Sequence, residues 1–369
     1  MPHKESCPAF AITPRSPSEP ARSTSTVMRP AARDRAPRLR AASVLAIVIV
    51  LVSACSGTES SGGAGGGGYP DRQITIVVPF SAGGPTDTVT RLIAEPMSAK
   101  LGQQIVVQNV EGAGGTLGAG QVARATPDGY TVLMHHIGMS TAPTLYPQLP
   151  YAPLEDFETV GLVTEVPMTI VGRKDLAPNT LQELVAYVRG NPGGVTLATA
   201  GVGAASQLCG LLIERAFQVD VTEVPYEGTG PALTDLVGGQ VDMMCDQTTN
   251  TTGQITAGGV KAYAVTTPER VAVLPDLPTT VEAGLPEVQV SVWHGLYVPA
   301  DTPPEVVQAL TDALAVALQD QNVVAAMAKL GTAPVAATDV TPQAHSDQLR
   351  QQIDFWGPVI KAASPTPGG

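Results

Sequence analysis

The sequence predicts an α/β fold in two units, each a mostly parallel sheet flanked by helices. Two patterns predict it. Short apolar runs bounded by turn residues alternate with segments of helical period. The runs are apolar throughout rather than at alternate residues, as in strands buried on both faces. Composition agrees: of 369 residues 43% are apolar and 4% aromatic, which suits a globular chain long enough for two domains.

In chain order, the first unit opens near Tyr69. Strands are expected at Ile74–Val78 (ITIVV), 104–108 (QIVVQ) and 130–134 (YTVLM). A helix over about 87–101 places Val89, Leu92, Ile93 and Met97 on one face, and a shorter helix covers about 115–124. In the second unit strands fall at 168–172, 195–199, 221–226, 241–246 and 261–267. Its helices cover about 181–189, 206–217 and 231–237, the first started by Asn179 or Thr180 with Glu183 close behind. The tail holds SVWHGLYVP and three helical segments near 305–318, 322–330 and 343–361, expected to pack back on one unit. Trp293 and His294 read as hinge or core residues, with the cleft as their alternative place.

Ahead of this body, RLRAASVLAIVIVLVSAC (residues 38–55) reads as a secretory signal. Arg38 and Arg40 precede an apolar stretch too short to span a bilayer comfortably. Val52-Ser53-Ala54-Cys55 resembles a bacterial lipobox, in which Cys55 becomes the lipidated N-terminus; cleavage to an unlipidated product is the alternative. Residues 55–68 are a Gly/Ser-rich flexible linker. Residues 1–27 are Pro/Ser-rich without period, and a start at Met28 gives a more usual arginine-rich leader, so 1–54 are excluded from the fold.

The whole chain has a formal charge of −12; residues 1–54 carry eight basic and three acidic residues, which leaves −17 on the remainder. Nucleic acid is not an expected partner of such a body. Beyond Cys7 in the leader and Cys55, the cysteines are Cys209 and Cys245. Outside the cytoplasm these two either form a disulfide or remain buried thiols.

Chemistry concentrates in two glycine turns, PFSAGGPTD (79–87) and NVEGAGGTLG (109–118). Each follows a strand and begins a helix, so free backbone N–H groups and a positive helix end face the crevice at the strand ends. Such a place prefers an anion. Glycine permits close approach, and Ser81 and Thr116 add hydroxyls. With −17 on the body, capture of an anion must rest on local dipoles and hydrogen bonds. Arg72 and Arg91 read as surface residues. Asp87, in a first helical turn, and Asn109 read as loop-shaping residues.

Other chemistries find less support. Gly118-Ala119-Gly120-Gln121-Val122-Ala123 fits a dinucleotide fingerprint but begins inside a helix, and Asp128 at the usual offset sits in a turn. No G-x-S-x-G or H-E-x-x-H is present. His135 and His136, on one strand, are expected to point to opposite faces, His136 toward the cleft and the other under a helix. Neither cofactor nor metal is expected.

The segment from Tyr69 to Tyr130, with VPYEGTGPALTDLVGGQVD (224–242) and WHGLYVPADTPPEVV (293–307), resembles the tripartite tricarboxylate transporter substrate-binding proteins, also called the Bug family. The likeness covers nearly all of 69–360, with three separated motifs in order. It implies a type II periplasmic-binding-protein fold with lobes of 69–171 plus 293–369 and of 172–292. Between them a cleft closes on a small mono-, di- or tricarboxylate. It also implies a monomer without enzymatic activity that delivers this ligand to integral membrane transporter subunits outside the cytoplasm, and the lipobox adds anchoring through Cys55 as the expectation. A sensor presenting the carboxylate to a membrane kinase is the alternative, and a dinucleotide enzyme a remote one.

By the same likeness, Ser81, Ala82, Gly83 and Gly84, with Gly112, Ala113, Gly114, Gly115 and Thr116, hold one carboxylate, partly through water. The other lobe contributes from 200–206, including Ala200 and Ser206, and from Asp246. The chain departs from the family pattern there: Gly-Ser-x-x-His-Leu is Gly203-Ala204-Ala205-Ser206-Gln207-Leu208, and a common Lys is Glu227.

Overall fold

The computed structural model describes residues 68–363; the signal segment, Cys55 and nearly all of the linker lie outside them. The chain begins β1 (Ile74–Val78), α1 (Pro85–Leu101), β2 (Ile105–Asn109), α2 (Thr116–Ala123), β3 (Thr131–His136) and α3 (Gly138–Leu145). It continues through β4 (Phe157–Arg173), α4 (Leu181–Gly190), β5 (Thr196–Thr199), α5 (Ala205–Phe217), β6 (Thr222–Pro225), α6 (Thr229–Val237) and β7 (Met243–Gln247). Last come α7 (Thr248–Thr256), β8 (Val260–Val265), β9 (Ser291–Pro299), α8 (Pro304–Gln319), α9 (Gln321–Lys329) and α10 (Pro342–Ala363).

Two parallel triplets, β2-β1-β3 and β7-β5-β6, form the outer parts of the sheets. Their strands are buried runs; Ile74, Val77 and Val78, for instance, are inaccessible. The long β4 and β9 link the triplets and run antiparallel to their neighbours. From Phe157 to Pro167, β4 pairs with β9; from Met168 it pairs with β7 and β8. The change of partner falls at a proline, which has no N–H to give to a ladder. The fold is thus two-lobed, with helices on the sheets and the strand ends of both triplets facing a common cleft.

The sequence marks only 168–172 of β4, because Gly161, Glu165 and Pro167 interrupt its apolar run and two register shifts bend it against β9. Two helices go unread. α3 (GMSTAPTL) carries an internal proline, and α7 (TTNTTGQIT) is rich in β-branched residues that disfavour helix. Tertiary hydrogen bonds override that propensity in α7: Thr251 shares one with Thr169 at 2.8 Å, and Thr248 donates to the Gly331 carbonyl at 3.1 Å.

That last contact also corrects the expectation that the tail rests on one unit. α8 packs against α1 and α10 against α3 and β4. The Leu330 and Gly331 carbonyls, however, accept from Thr252 and Thr248 of α7, and Trp356 and Ile360 share an apolar pocket with Leu208 and Leu212 of α5. The tail therefore spans both lobes. No helix among the described residues is long and apolar enough to cross a membrane.

Candidate functional site

Four helices begin at one cavity. Pro85 and Thr86 at the start of α1, Ala204 to Ser206 at α5, Thr229 at α6 and Gln247 before α7 line it, with Phe80, His136, Ala200 and Asp246. Their N-cap positions, Gly84, Ala204, Gly228 and Gln247, make no side-chain capping bond. Of the helices that begin elsewhere, α4 and α9 are capped by Thr180 and Asp320, while α2, α3 and α8 also lack a side-chain cap, so it is the convergence of four such starts that marks the cavity. Uncapped starts leave N–H donors and the positive end of each dipole directed at one point. The cavity volume is about 20 Å³, about one water's room, so the lobes lie closed on it.

The glycine turns form the rim of this cavity rather than its wall. Ser81 N–H donates to the Glu227 carbonyl at 3.2 Å across the cleft. Glu227 thus meets the first lobe through its main chain, and the residue is exposed. The Ser81 hydroxyl is buried without a partner, beside Gly228. Gly84 lies against Gly230, while Ala82 and Gly83 are exposed. In the second turn Gly112, Gly114 and Gly115 have φ of +127°, +62° and +95°, and Ala113 is also positive at +48°. Gly114 meets the Val202 carbonyl of the opposite lobe, and the Thr116 hydroxyl donates to Ala113 O at 3.0 Å. Tyr146, which sequence reasoning missed, places its hydroxyl 2.8 Å from Ala113 O and 2.7 Å from Val202 O. It bridges the two lobes.

The first turn is shaped by a carboxylate. Asp87 accepts from Gly83 N–H at 2.8 Å, from Arg91 Nε and Nη2 at 2.9 and 2.8 Å, and from Asn109 Nδ2 at 3.0 Å. Asn109 Nδ2 also reaches the Phe80 carbonyl at 2.9 Å. Burial alone would raise the Asp87 carboxyl, but the bonds from Arg91, Gly83 and Asn109 outweigh it and hold it below the usual range. Arg91 is thereby occupied, and Arg72 pairs with Asp128 at 2.8 Å.

On the second lobe, Ser206 Oγ accepts from Ala200 N–H at 2.8 Å, and Gln207 Oε1 accepts from Gly203 N–H at 2.8 Å. The glutamine that departs from the family pattern thus closes the 200–204 turn. Asp246 is 1% exposed and accepts from Asn250 Nδ2 at 2.6 Å. Burial pushes its carboxyl up to about 6 against hydrogen bonds from Asn250, Gln247 and Thr229. A disulfide joins Cys209 on α5 to Cys245 on β7, with Cα atoms 6.0 Å apart. It fastens the two elements that carry Ser206 and Asp246.

The histidine rings do not point to opposite faces. His135 and His136 lie 5.0 Å apart, and both meet Phe80, with His136 stacked on it at 4.5 Å. The strand ends at His136 and turns into α3, so alternation stops there. His136 Nδ1 accepts from Gly138 N–H at 2.9 Å, which leaves the proton of the neutral ring on Nε2. Burial and the neighbouring His135 and His294 hold it well below the usual histidine value. His294 sits behind the wall, its Nε2 3.3 Å from the Thr86 hydroxyl. Among the described residues no cluster of His, Cys, Asp or Glu is placed to hold a metal ion.

Of the sequence candidates, His136, Ala200, Ser206 and Asp246 line the cavity; Ser81 to Gly84 and Gly112 to Thr116 do not, although Gly84 precedes Pro85 and Gly115 lies against Phe80 of its wall. Phe80, Thr86, Thr229 and Gln247 were missed. The signal for Thr86, Thr229 and Gln247 is their position at the first turn after a strand end, the rule that selected the glycines. A larger groove of about 660 Å³ lies on the second lobe, between α4, β8 and residues 273–283. The helix that starts there, α4, is capped by its own Thr180, so the groove lacks the free donors of the smaller cavity.

Comparisons with known proteins agree on one family. A family model described as Tripartite tricarboxylate transporter family receptor matches residues 89–364. A UPF0065 protein in the TAR-I ttuE-ttuC' intergenic region of Agrobacterium vitis is 54% identical over 295 residues, 80% of this chain and 85% of its own. The structure of periplasmic binding protein BugD superposes with a TM-score of 0.79 at 49% identity, covering 80% of this chain and 98% of that one. MatC from Rhodopseudomonas palustris with bound malate gives 0.77 at 43% identity, over 79% of this chain and all of its own.

Proposed function

Because this chain belongs to the tripartite tricarboxylate transporter receptors, the Bug-type solute-binding proteins, we propose that it is an extracytoplasmic receptor. It captures a small organic carboxylate between its lobes and delivers it to an integral membrane transporter of the tripartite type. Four uncapped helix N-termini around one buried cavity carry this reading. Each helix end contributes up to about 2 kcal/mol toward an anion when partly buried, and each charge-assisted hydrogen bond roughly 1.5 to 3. Together they reach the roughly 8 kcal/mol of micromolar binding without a lysine or arginine. The malate bound to MatC supports the ligand class.

Entry of such a ligand requires the two lobes to part, with bending where β4 exchanges partners at Pro167 and Met168. The site works by binding alone, without covalent chemistry, and the body is tethered outside the cytoplasm through a lipid on Cys55. A thermal-shift screen of mono-, di- and tricarboxylates, with NAD as a counter-probe, tests the reading. A true ligand at a hundredfold excess over Kd stabilises by about 2.7 kcal/mol. No response to any carboxylate, with a response to NAD, would overturn it.

A further inference from the structure

Where α6 and α7 begin, the wall of the cavity also carries acceptors. Asp246, the last but one residue of β7, has its carboxylate against the cavity, held by neutral donors only: Asn250 at 2.6 Å, the Gln247 N–H and the Thr229 hydroxyl. The next residue, Gln247, is 3% exposed, lines the same cavity, and leaves its Oε1 without a hydrogen-bond partner. No lysine or arginine lines the cavity. The remaining ionisable side chain there, His136, is neutral.

A ligand carboxylate held at the starts of α1 and α5 leaves its other end facing this wall. A second carboxylate in that place would oppose Asp246 in a site without a cation, and like charges so close disfavour each other's ionised forms. A hydroxyl or ammonium in the same place donates to oxygen lone pairs that otherwise have too few donors. Leaving such acceptors unmet is what makes a polar site reject a ligand that lacks the matching group.

We propose that Asp246 and Gln247 select small carboxylates that carry a hydrogen-bond donor, a hydroxyl or an ammonium, over acids without one. The inference rests on the carboxylate-receptor reading and narrows its ligand class. It makes Asp246 a specificity residue rather than a further anchor for negative charge.

Isothermal titration of the purified full chain at pH 8 with matched pairs tests it: malate against succinate, lactate against propionate, and alanine against propionate. In at least one pair the donor-bearing acid should bind ten-fold tighter or more, and the lactate and alanine arms tell hydroxyl from ammonium. Asp246→Asn should bring that pair within about three-fold. Equal affinities within every pair in the native chain overturn the inference while leaving the receptor reading intact, as does a preference unchanged in Asp246→Asn. Failure of these acids and every other carboxylate to bind overturns both. The native-chain comparison stands even where the variant does not fold.

Discussion

At Gly114 a single hydrogen atom decides whether the lobes can meet. A Cβ there would collide with the Val202 carbonyl of the opposite lobe and stand 2.8 Å from the Tyr146 hydroxyl, on a backbone with φ of +62°. The clash is with main chain, so it is relieved by parting the lobes or moving a loop, whereas the strain of alanine at positive φ costs only roughly 1–2 kcal/mol. Gly114→Ala is therefore expected to leave the fold standing and raise the carboxylate Kd at least ten-fold, mainly through faster dissociation. Titration calorimetry and stopped-flow release measure this; native affinity in the variant would mean that the rim contact is absent from the bound form. At this scale the sequence was half legible. Glycine spacing identified a place of close approach, but whether a ligand or the Val202 carbonyl approaches depends on tertiary placement that local spacing does not carry. Tyr146 left no signal at all, since its role is to touch two carbonyls from distant segments.

The elements around the cavity are fastened to each other just behind the residues that face it. Helix α5 starts at the cavity with Ser206, and one turn later Cys209 ties it to Cys245, the neighbour of Asp246. Closing a loop with a sequence separation of 36 residues removes denatured-chain entropy corresponding to about 4 kcal/mol in the chain-entropy account. The double variant Cys209→Ala, Cys245→Ala should lose stability of that order in denaturant titration and bind carboxylate more weakly. A loss under about 1 kcal/mol relative to the oxidised native chain would show that the bridge does not constrain the mature protein. Strands and long amphipathic helices were legible because burial on both faces leaves continuous apolar runs. The short α7 was not, because its threonines are stabilised by Thr169 and Gly331, far away in sequence. The crossing strand β4 was read at one end only, since the half that joins the lobes needs bends, and the residues that permit bends mimic a loop.

For the molecule as a whole, buried histidines make acid the condition it tolerates least. Burial lowers His135 to about 4 and His294 and His345 to about 3, and lowers His136 well below its ordinary value. In the unfolded chain each titrates near 6.5. The unfolded state therefore binds more protons below that value, so the stability is fully present above about pH 6.5 and is lost as the pH falls toward 4 and 3. Asp87, held below the usual carboxylate range, acts in the same direction at lower pH. Asp246 opposes them: its folded carboxyl lies near 6, so its burial penalty applies above that pH and is relieved between about 6 and 4. One such relief is worth roughly 3 kcal/mol at about 1.4 kcal/mol per pH unit, less than the combined loss from three histidines with larger shifts. That loss amounts to several kcal/mol against a typical total of about 5–15. The thermal midpoint should accordingly fall steadily from pH 7 to pH 4, with unfolding at ambient temperature toward the lower limit. A midpoint that is flat or rises over this range would mean that the histidines reach solvent in the folded chain. Asp246→Asn should steepen the fall, because it removes a buried carboxyl that gains from acid, as Glu214 and Glu223, also raised by burial, do.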